Sequence, residues 1–216
     1  MTERKRVYAS DLRAEQARQT RRQIVAAGGR LFAEQGYVAT TVDAIAQAAG
    51  VSRKTVFTAV GGKAVILKLA HDWAIVGDDE PVGLEDRETI SRLRQETDPV
   101  RLLEGYADHL VTTQQRLAPI HCAMRNAADA DPEVGVLFAE SNQQRLTGMS
   151  HFAAQLEGLG LRPGLSRRRA TDVLFHLIDP GHYESLVIQR GWSQAAYRDF
   201  VLASLKLHLL GIADVG

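Results

Sequence analysis

The stretch SRKTVFT, residues 52–58, concentrates cationic and hydroxyl side chains within two turns of a predicted helix. At about 100° per residue, Val56 faces inward, and Lys54 and Thr58 project from the opposite side. The flanks of that outer face hold Arg53, Thr55 and Phe57. Lysine and arginine bind guanine and phosphate, and hydroxyl groups bind either. This spacing predicts a helix that reads the major groove of DNA, although a helical hairpin with incidental basic residues fits the same pattern.

Two short helices and a tight turn must position that face. Gly50 tolerates the positive φ that such a turn needs, and Ser52 is a natural N-cap whose helix can offer backbone N–H groups to a phosphate. Upstream, Thr40-Thr41-Val42-Asp43 matches a capping box, with a hydroxyl at the N-cap and a carboxylate three residues later. The helix that follows carries one apolar face, made of Val42, Ile45, Ala46 and Ala49. We therefore predict a helix-turn-helix.

A further helix precedes this pair. From Gln16 to Gln35 the apolar and small residues recur at the spacing of one helical face, and Gly36 follows where a left-handed C-cap is common. Residues 1–63 hold eleven Lys and Arg against five Asp and Glu, whereas the rest of the chain holds fifteen against twenty-one. This asymmetry fits a basic module attached to a neutral or acidic body, although a solvated helix face gives the same pattern. Together with the helix-turn-helix, it predicts a DNA-binding domain with an N-terminal basic arm, residues 1–62, joined to a larger domain, residues 63–216.

Composition argues against several other classes of protein. The chain has 216 residues and an apolar fraction of 45%, which is enough for a substantial core. No run approaches the ~18 consecutive apolar residues of a membrane span, and the charged N-terminus lacks the apolar region of a secretory signal. The single cysteine, Cys122, fits a reducing compartment. We expect a cytoplasmic protein that does not enter the membrane.

The rest of the chain also has helical periodicity. Residues 64–76 are apolar on several sides, Pro99 and Pro132 can each open a helix, and Pro119 is predicted to separate two helices. The final helix is predicted from Ser193 to Leu210. Strand-like alternation is absent from the sequence. The predicted fold class is all-α, with a three-helix helix-turn-helix domain followed by a larger helical domain for effector binding and dimerisation.

Motifs for catalysis or metal binding are missing from the sequence. HExxH, P-loop, dinucleotide and GxSxG patterns do not occur, so we expect no enzyme, no cofactor and no metal. Polar or polarisable side chains that interrupt apolar helices are candidates for a small-molecule pocket, although buried polar pairs give the same pattern. These candidates are Tyr106, His109, His121, Met124, Arg125 and His176. An anionic ligand is the hypothesis if Arg125 faces a cavity.

The last helices carry more apolar residues than one small domain needs. These residues recur at about four-residue steps, which fits either ordinary core or a four-helix interface between two copies of the chain. The candidate interface residues are Leu174, Phe175, Ile178, Tyr197, Val201 and Leu205.

The block from Thr20 to Leu69 resembles the DNA-binding domain of the TetR (tetracycline-repressor-like) family of bacterial transcription regulators. The matching residues are Leu31-Phe32-Ala33, Gly36-Tyr37, Thr40-Thr41-Val42, Ile45-Ala46, Ala49-Gly50-Val51-Ser52, Thr55 and Lys63. Beyond this block the resemblance is limited to helical organisation and to the segment DPGHYESLVIQRGWS, residues 179–193.

The resemblance implies a homodimer in which each subunit offers one recognition helix to half of a palindromic operator, while the larger domain binds a small molecule. It implies phosphate contacts for Thr41 and Lys63. The rest of the predicted DNA-binding set is Thr40, Ser52, Arg53, Lys54, Thr55, Phe57 and Thr58. Phe57 stands where the family commonly has tyrosine, and without the hydroxyl it can contact a thymine methyl or a sugar but cannot bind a phosphate.

Three functions follow from these observations. The leading hypothesis is a ligand-responsive repressor that a small molecule releases from its operator. One alternative is a helical small-molecule-binding protein or enzyme whose basic N-terminus is only an anchor. The other is an architectural DNA binder without an effector. The complete helix-turn-helix and the lack of a visible catalytic constellation favour the first.

Overall fold

The computed structural model describes the backbone of residues 3–80 and 83–213 and the side chains of residues 12–80 and 83–213. Ten α-helices and no strand occur in these ranges, which confirms the all-α prediction. Within the same ranges, no helix is both long enough and apolar enough to cross a membrane.

The chain runs through two groups of helices. The first group is α1 (Glu3–Gln35), α2 (Val42–Ala49), α3 (Arg53–Ala59) and α4 (Lys63–Val76). After a 3-10 turn at Leu84–Asp86 follow α5 (Glu88–Gln95), α6 (Pro99–Ala127), α7 (Pro132–Leu159), α8 (Arg167–Leu177), α9 (Pro180–Tyr183) and α10 (Gln194–Leu205). Segments of π-helix continue α9 through Glu184–Gln189 and α10 through Lys206–Leu210.

The head of the molecule, defined as α1, α2 and α3, surrounds one apolar cluster. Ile24 and Phe32 of α1, Ile45 of α2 and Val56 of α3 are all fully buried in it. Each of these positions lies on the apolar face that the sequence predicted for its helix. The short α2 and α3 are therefore held by packing against α1, because helices of so few residues are marginal alone.

Helix α1 is longer at its N-terminus than predicted. It begins at Glu3 and not at Gln16, and residues 12–19 of the added part are exposed. The early segment has no Gly or Pro to stop the helix, but it also lacks the apolar periodicity on which the prediction depended. The side chains of the predicted basic arm, Arg4, Lys5 and Arg6, lie outside the described residues.

The cap of α2 differs from the prediction by one residue. Thr41 is the N-cap, and its Oγ1 accepts the N–H of Ala44 at 3.1 Å. Thr40 is fully buried, and its hydroxyl donates to the carbonyl of Gly36 at 2.8 Å. The capping box with Thr40 as N-cap and Asp43 as its carboxylate partner is therefore wrong. Thr40 as a DNA contact is also wrong, because a buried hydroxyl that satisfies a backbone carbonyl cannot reach DNA.

The turn between α2 and α3 forms as predicted. Gly50 has φ of 69°, in the left-handed region that favours glycine. Ser52 caps α3, with its Oγ accepting the N–H of Thr55 at 3.0 Å. Two helices joined in this way are a helix-turn-helix.

Helix α4 connects the head to the larger domain through close packing. A Cβ atom added at Gly28 of α1 would collide with Ile66 of α4, and one added at Gly29 would lie 3.2 Å from the Cβ of Ala70. The two glycines let the backbones of α1 and α4 approach closely. On α4, Ile66 and Leu67 are fully buried in the cluster of the head.

Helix α6 passes through Pro119 without ending, so the predicted separation of two helices there is wrong. A proline inside a helix removes one backbone hydrogen bond and costs about 3 kcal/mol. Buried residues continue on both sides of it, with Leu117 and Ala118 before and His121 and Cys122 after. Packing along the full length of α6 offsets the local loss.

The C-terminal helices form a second core against α6 and α7. Five residues predicted for the dimer interface lie inside this core, at most 5% exposed: Leu174, Ile178, Tyr197, Val201 and Leu205. Their assignment to the interface is wrong, because the same chain already covers them. Phe175, the sixth, is partly buried beneath the guanidinium of Arg145, whose Cζ lies 3.8 Å from the ring centroid.

Candidate nucleic-acid interface and effector cavity

Helix α3 presents a polar face to solvent. Val56 is fully buried and anchors the helix, whereas Lys54 and Thr58 on the opposite side are exposed. Arg53 is also exposed, and Phe57 is 46% exposed, which is unusual for a large apolar side chain. The predicted inward and outward sides of α3 are confirmed. That the outward side contacts DNA stays a prediction.

The two basic side chains of α3 are in different states. Arg53 Nη1 lies 2.6 Å from Asp43 Oδ2 of α2, and its guanidinium is 5.7 Å from the ring centroid of Phe57. Both members of this ion pair are largely exposed, so it orients Arg53 while adding at most about 1 kcal/mol of stability. Lys54 makes no ion pair or hydrogen bond through its side chain to any described residue. Its charge is therefore available to a partner such as a phosphate or a guanine.

The hydroxyl groups of α3 are partly used within the helix. Ser52 Oγ and Thr55 Oγ1 lie 2.8 Å apart, and Thr58 Oγ1 lies 3.1 Å from the carbonyl oxygen of Lys54. When Thr58 donates to that carbonyl, its oxygen keeps lone pairs that can accept from the amino group of adenine or cytosine. In this state Thr58 suits a base amino group better than a phosphate.

Lys63 and Tyr37 connect the head to the loop between α6 and α7. Lys63 Nζ donates to the carbonyl of Tyr37 at 3.0 Å and lies 4.0 Å from its ring centroid. The Tyr37 hydroxyl donates to Asp131 Oδ2 at 2.8 Å, and Asp131 is the N-cap of α7. Burial raises the pKa of Tyr37, and the hydrogen bond from Tyr37 lowers the pKa of Asp131. Lys63 would have to leave its place over the ring to reach a phosphate, while Thr41, the other predicted phosphate contact, is already exposed.

A cavity of about 900 Å³ lies between α4, α5, α6 and α7. Three of the six predicted pocket residues line it, namely Tyr106, His109 and His121. Aliphatic and aromatic side chains make up one part of the wall, and hydroxyl, amide and imidazole groups make up another. A cavity of this size and composition is typical of a site for a small organic molecule.

The other three predicted pocket residues do not line the cavity. Met124 is fully buried in the cluster of the head, because the end of α6 packs there and no longer beside the cavity. Arg125 is exposed, and a Cβ atom added at Gly181 would lie 2.8 Å from its Nη1. His176 is exposed at the end of α8, where its ring meets His182 edge-on at 5.1 Å. With Arg125 outside the cavity, the basis for the anionic-ligand hypothesis is removed.

Several polar residues of the wall were not among the predicted pocket residues. His71, Thr113, Gln114, Ser141 and Arg145 all line the cavity. Two of them could have been found by heptad spacing, because Thr113 follows Tyr106 by seven residues and Gln114 precedes His121 by seven. The residues of α4 and α7 are brought to the same wall only by tertiary packing.

Two buried histidines of the wall face each other. His71 Nε2 of α4 lies 3.3 Å from His121 Nδ1 of α6, and both side chains are 3% exposed. Burial, and then the neighbouring His71, lower the pKa of His121 to about 3, and burial lowers the pKa of His109. His109 and His121 are thus uncharged near neutral pH. The described residues contain no cluster of three or more His, Cys, Asp or Glu that could hold a metal ion.

The C-terminal helices leave an apolar surface uncovered. Ile188, Trp192, Phe200 and Leu207 are between 38% and 49% exposed. The Trp192 ring meets Phe200 edge-on, with centroids 5.8 Å apart. These four residues define the exposed apolar surface. Two of them, Phe200 and Leu207, lie on α10 and its π-helical continuation, and α10 also holds the buried Tyr197, Val201 and Leu205 that the sequence assigned to a dimer interface.

Comparisons with known proteins agree with this arrangement. Residues 24–69 match the family model described as bacterial regulatory proteins, tetR family. FadR from Bacillus subtilis, solved in complex with stearoyl-CoA, is similar at 20% identity and a TM-score of 0.68, over 88% of this chain and 98% of that one. NalD, the secondary repressor of the MexAB-OprM multidrug efflux pump in Pseudomonas aeruginosa, is similar at 23% identity and a TM-score of 0.68. This match covers 93% of this chain and 100% of NalD. FadR from Bacillus halodurans, a fatty acid degradation regulator, is similar at 18% identity and a TM-score of 0.66. This match covers 86% of this chain and 93% of that protein. No curated protein sequence matches the chain.

The fold is that of a helix-turn-helix domain followed by a larger helical domain. The family match covers the helix-turn-helix, and the solved structures share the fold along most of the chain. In its helix-turn-helix, residues 24–69, the chain is therefore similar to the bacterial regulatory proteins of the tetR family.

Proposed function

We propose that this protein is a transcriptional regulator of the TetR family and a ligand-responsive repressor, which binds a palindromic operator as a homodimer and is released when a small molecule occupies the cavity. DNA recognition is supported by the outer face of α3. Lys54 is exposed there and its side chain makes no ion pair or hydrogen bond to any described residue, and Thr58 lies one turn further on. The proposed DNA-contacting residues are Thr41, Ser52, Arg53, Lys54, Thr55, Phe57, Thr58 and Lys63. The proposed division into residues 1–62 and 63–216 falls at the start of α4.

The effector part of the proposal is supported by the position of the cavity. Helix α4 contributes His71 to the cavity wall and Ile66 and Leu67 to the cluster of the head. A ligand that prefers one placement of α4 over another would shift the population of head positions, and with it the affinity for DNA. The stearoyl-CoA in the structure of B. subtilis FadR supports ligand binding by this fold, while 20% identity is too low to transfer the ligand itself. The cavity favours an effector-responsive regulator over an architectural DNA binder.

The homodimer part is supported by the exposed apolar surface of Ile188, Trp192, Phe200 and Leu207. A second copy of the same surface would bury these residues in a two-fold interface. Sedimentation of the wild type should give a dimer at micromolar concentration, and Phe200→Asp should shift it to the monomer. Val136→Asp, at a 59% exposed position on α7, is the matched control and should leave the dimer intact. A wild type that sediments as a monomer would count against the homodimer.

Mapping of the genomic DNA that the protein binds tests the operator. We expect the enriched fragments to share an inverted repeat whose half-sites are separated by about one helical turn of DNA or a multiple of it. Fragments without a common repeat would contradict a dimer that reads a palindrome. Expression of the neighbouring genes should rise when the regulator is deleted, and a fall would contradict the repressor assignment.

A further inference from the structure

The cavity wall contains buried polar atoms that lack hydrogen-bond partners. Thr113 Oγ1, Gln114 Oε1 and Ser141 Oγ make no hydrogen bond to any described residue. These side chains are 8%, 1% and 7% exposed, and all three residues line the cavity. Buried polar groups in proteins are nearly always paired, because an unpaired one destabilises the folded chain. His71 Nδ1 and Arg145 Nε of the same wall also lack a hydrogen-bond partner. Five such atoms in one wall indicate a ligand that pairs with some of them.

Gln114 determines which kind of group the ligand must offer. Its Nε2 donates to the carbonyl of Ile178 at 2.7 Å, and that bond sets which end of the amide is the oxygen. Oε1 is therefore an acceptor that only a donor can satisfy. The hydroxyl groups of Thr113 and Ser141 can each donate or accept. The matching ligand group is one that donates and accepts at the same place, as an alcohol or an amide does.

The polar groups lie together at one end of the cavity. Gln114 binds Ile178, and Arg145 Nη2 lies 3.0 Å from Oδ2 of the next residue, Asp179. Ser141 precedes Arg145 by one turn on α7, so both project from the same side of that helix. This end is formed by α6, α7 and the turn between α8 and α9.

The other end of the cavity holds an apolar patch beside the charged pair Glu85–Arg94 and the polar side chains His151 and Gln155. Tyr106 stacks on Phe152 with ring centroids 4.4 Å apart, and its hydroxyl is 3.5 Å from Met149 Sδ. Leu93 of α5 lines the same end, and α5 is held there by Gln155 Nε2, which donates to the carbonyl of Leu93 at 2.8 Å. Tyr106 and Gln114 are eight residues apart on α6, which places the two ends about 12 Å from each other.

The ionised groups of the wall are already paired. Each Asp, Glu and Arg that lines the cavity has an oppositely charged partner within 3.0 Å, and the pairs are Asp72–Lys68, Glu85–Arg94 and Arg145–Asp179. Arg145 Nη1 also donates to the carbonyl of Phe175 at 2.9 Å, so neighbours hold both terminal nitrogens of the guanidinium and only Nε lacks a partner. A charged ligand group would lose its water and find only charges that are neutralised already.

We infer that the cavity takes an uncharged amphiphile, with an apolar body between Leu93, Tyr106 and Phe152 and an alcohol or amide head that binds Thr113, Gln114 and Ser141. This inference rests on the proposed role of the cavity as the effector site. The effector would then be a neutral molecule with hydrogen-bonding groups at one end only.

Three probes with the same decyl chain test the preference for the head group. Binding of 1-decanol, decanoate and decylammonium to the full chain is measured by isothermal titration calorimetry near neutral pH without DNA. We expect 1-decanol to bind about tenfold or more tightly than either charged probe. Tighter binding of decanoate or decylammonium would overturn the inference, and so would a lack of binding by 1-decanol.

Two conservative substitutions test the position of the head group. The double variant Thr113→Val, Ser141→Ala removes two unpaired hydroxyl groups while nearly preserving the volume of both side chains, so the chain should fold as well as the wild type. We expect its affinity for 1-decanol to fall about tenfold. Thr112→Val and Ser150→Ala, at exposed positions on the same two helices, are the matched controls and should bind like the wild type. A double variant with wild-type affinity would place the head group elsewhere and overturn the inference.

Repeating the titration with operator DNA separates this inference from the effector role. If 1-decanol binds the protein without changing its affinity for the operator, the ligand class stands and the proposed release by ligand fails. If the operator is bound but 1-decanol is not, the ligand class fails and DNA reading stands.

Discussion

The outer face of α3 and the polar end of the cavity both display hydroxyl and other polar side chains, but in opposite environments. On α3, Lys54 and Thr58 face solvent, and water satisfies whatever the protein leaves unpaired. In the cavity, Gln114 and Ser141 are at most 7% exposed, and their unpaired oxygens have no such substitute. Substitutions on the outer face of α3 should therefore change DNA binding with little change in stability. Substitutions at the polar end of the cavity can affect both ligand binding and the stability of the fold. The substitutions below are chosen to separate these two cases.

The largest change in stability is expected on α10, which has a buried side and an exposed side. Leu205 is fully buried and Phe200 is 44% exposed, five residues apart on α10. Leu205→Ala should lower the free energy of unfolding by about 2–5 kcal/mol, because it leaves a cavity in the core. Phe200→Ala should change the stability of the folded subunit far less. Urea unfolding measures both, and equal losses would mean that Phe200 is buried as fully as Leu205, in the core of one chain or in the proposed homodimer interface.

The pH dependence of stability tests the buried histidine of the cavity. The pKa of His121 is lowered to about 3 in the folded chain, while an unfolded histidine has a pKa of about 6.5. Below pH ~6.5 the unfolded chain binds a proton that the folded chain does not. The free energy of unfolding should therefore decrease as the pH is lowered, by up to about 1.4 kcal/mol per pH unit. His121→Leu should flatten this slope between pH ~6.5 and ~4, and the exposed His151→Leu should retain it. An unchanged slope in His121→Leu would show that another group is responsible.

Removal of the unpaired charge on α3 tests the exposed side of the comparison. Lys54→Ala should weaken operator binding about tenfold to a hundredfold and leave the free energy of unfolding unchanged, because Lys54 is exposed. Arg168→Ala removes a charge of the same sign from an exposed position on α8 and is the control. Fluorescence anisotropy with labelled operator measures the affinities. Equal weakening by both substitutions would indicate a general electrostatic effect and contradict recognition by α3.

The smallest effect is expected at the contact between the head and the α6–α7 loop. Tyr37→Phe removes the hydrogen bond to Asp131 and should lower the melting temperature by about 2–4 °C. Because the bond lowers the pKa of Asp131, its contribution is complete above the unfolded carboxyl pKa of about 3.9 and is lost as the pH falls through the folded value. The difference between wild type and Tyr37→Phe should therefore shrink in acid. A difference that grows in acid would show that the ionised Asp131 is not the acceptor that matters.

The head could be predicted in most respects because its features are local. Gly50, Ser52 and Val56 act through a turn, a cap and one helical repeat, all of which are set within a few residues. The error at Thr40 has a tertiary cause. Its hydroxyl turns back to the end of α1, so the cap of α2 moves to Thr41, and capping preferences alone cannot distinguish two adjacent threonines.

The larger domain could be predicted only in outline because its site is non-local. Tyr106 and His121 interrupt the apolar face of α6 and do line the cavity, but Met124, one turn after His121, packs under the head. Periodicity identifies the face of a helix and not the neighbour that covers it. For the same reason it could not distinguish Leu205, covered by its own chain, from Leu207, which is 47% exposed.

The affinity of the wild type for its mapped operator, compared with a scrambled DNA of the same composition at the same salt concentration, tests the central claim most directly. A regulator that reads bases through α3 should bind the operator about a thousandfold or more tightly than the scrambled sequence. Equal affinity for the two DNA molecules would contradict the claim, because binding would then depend on charge alone.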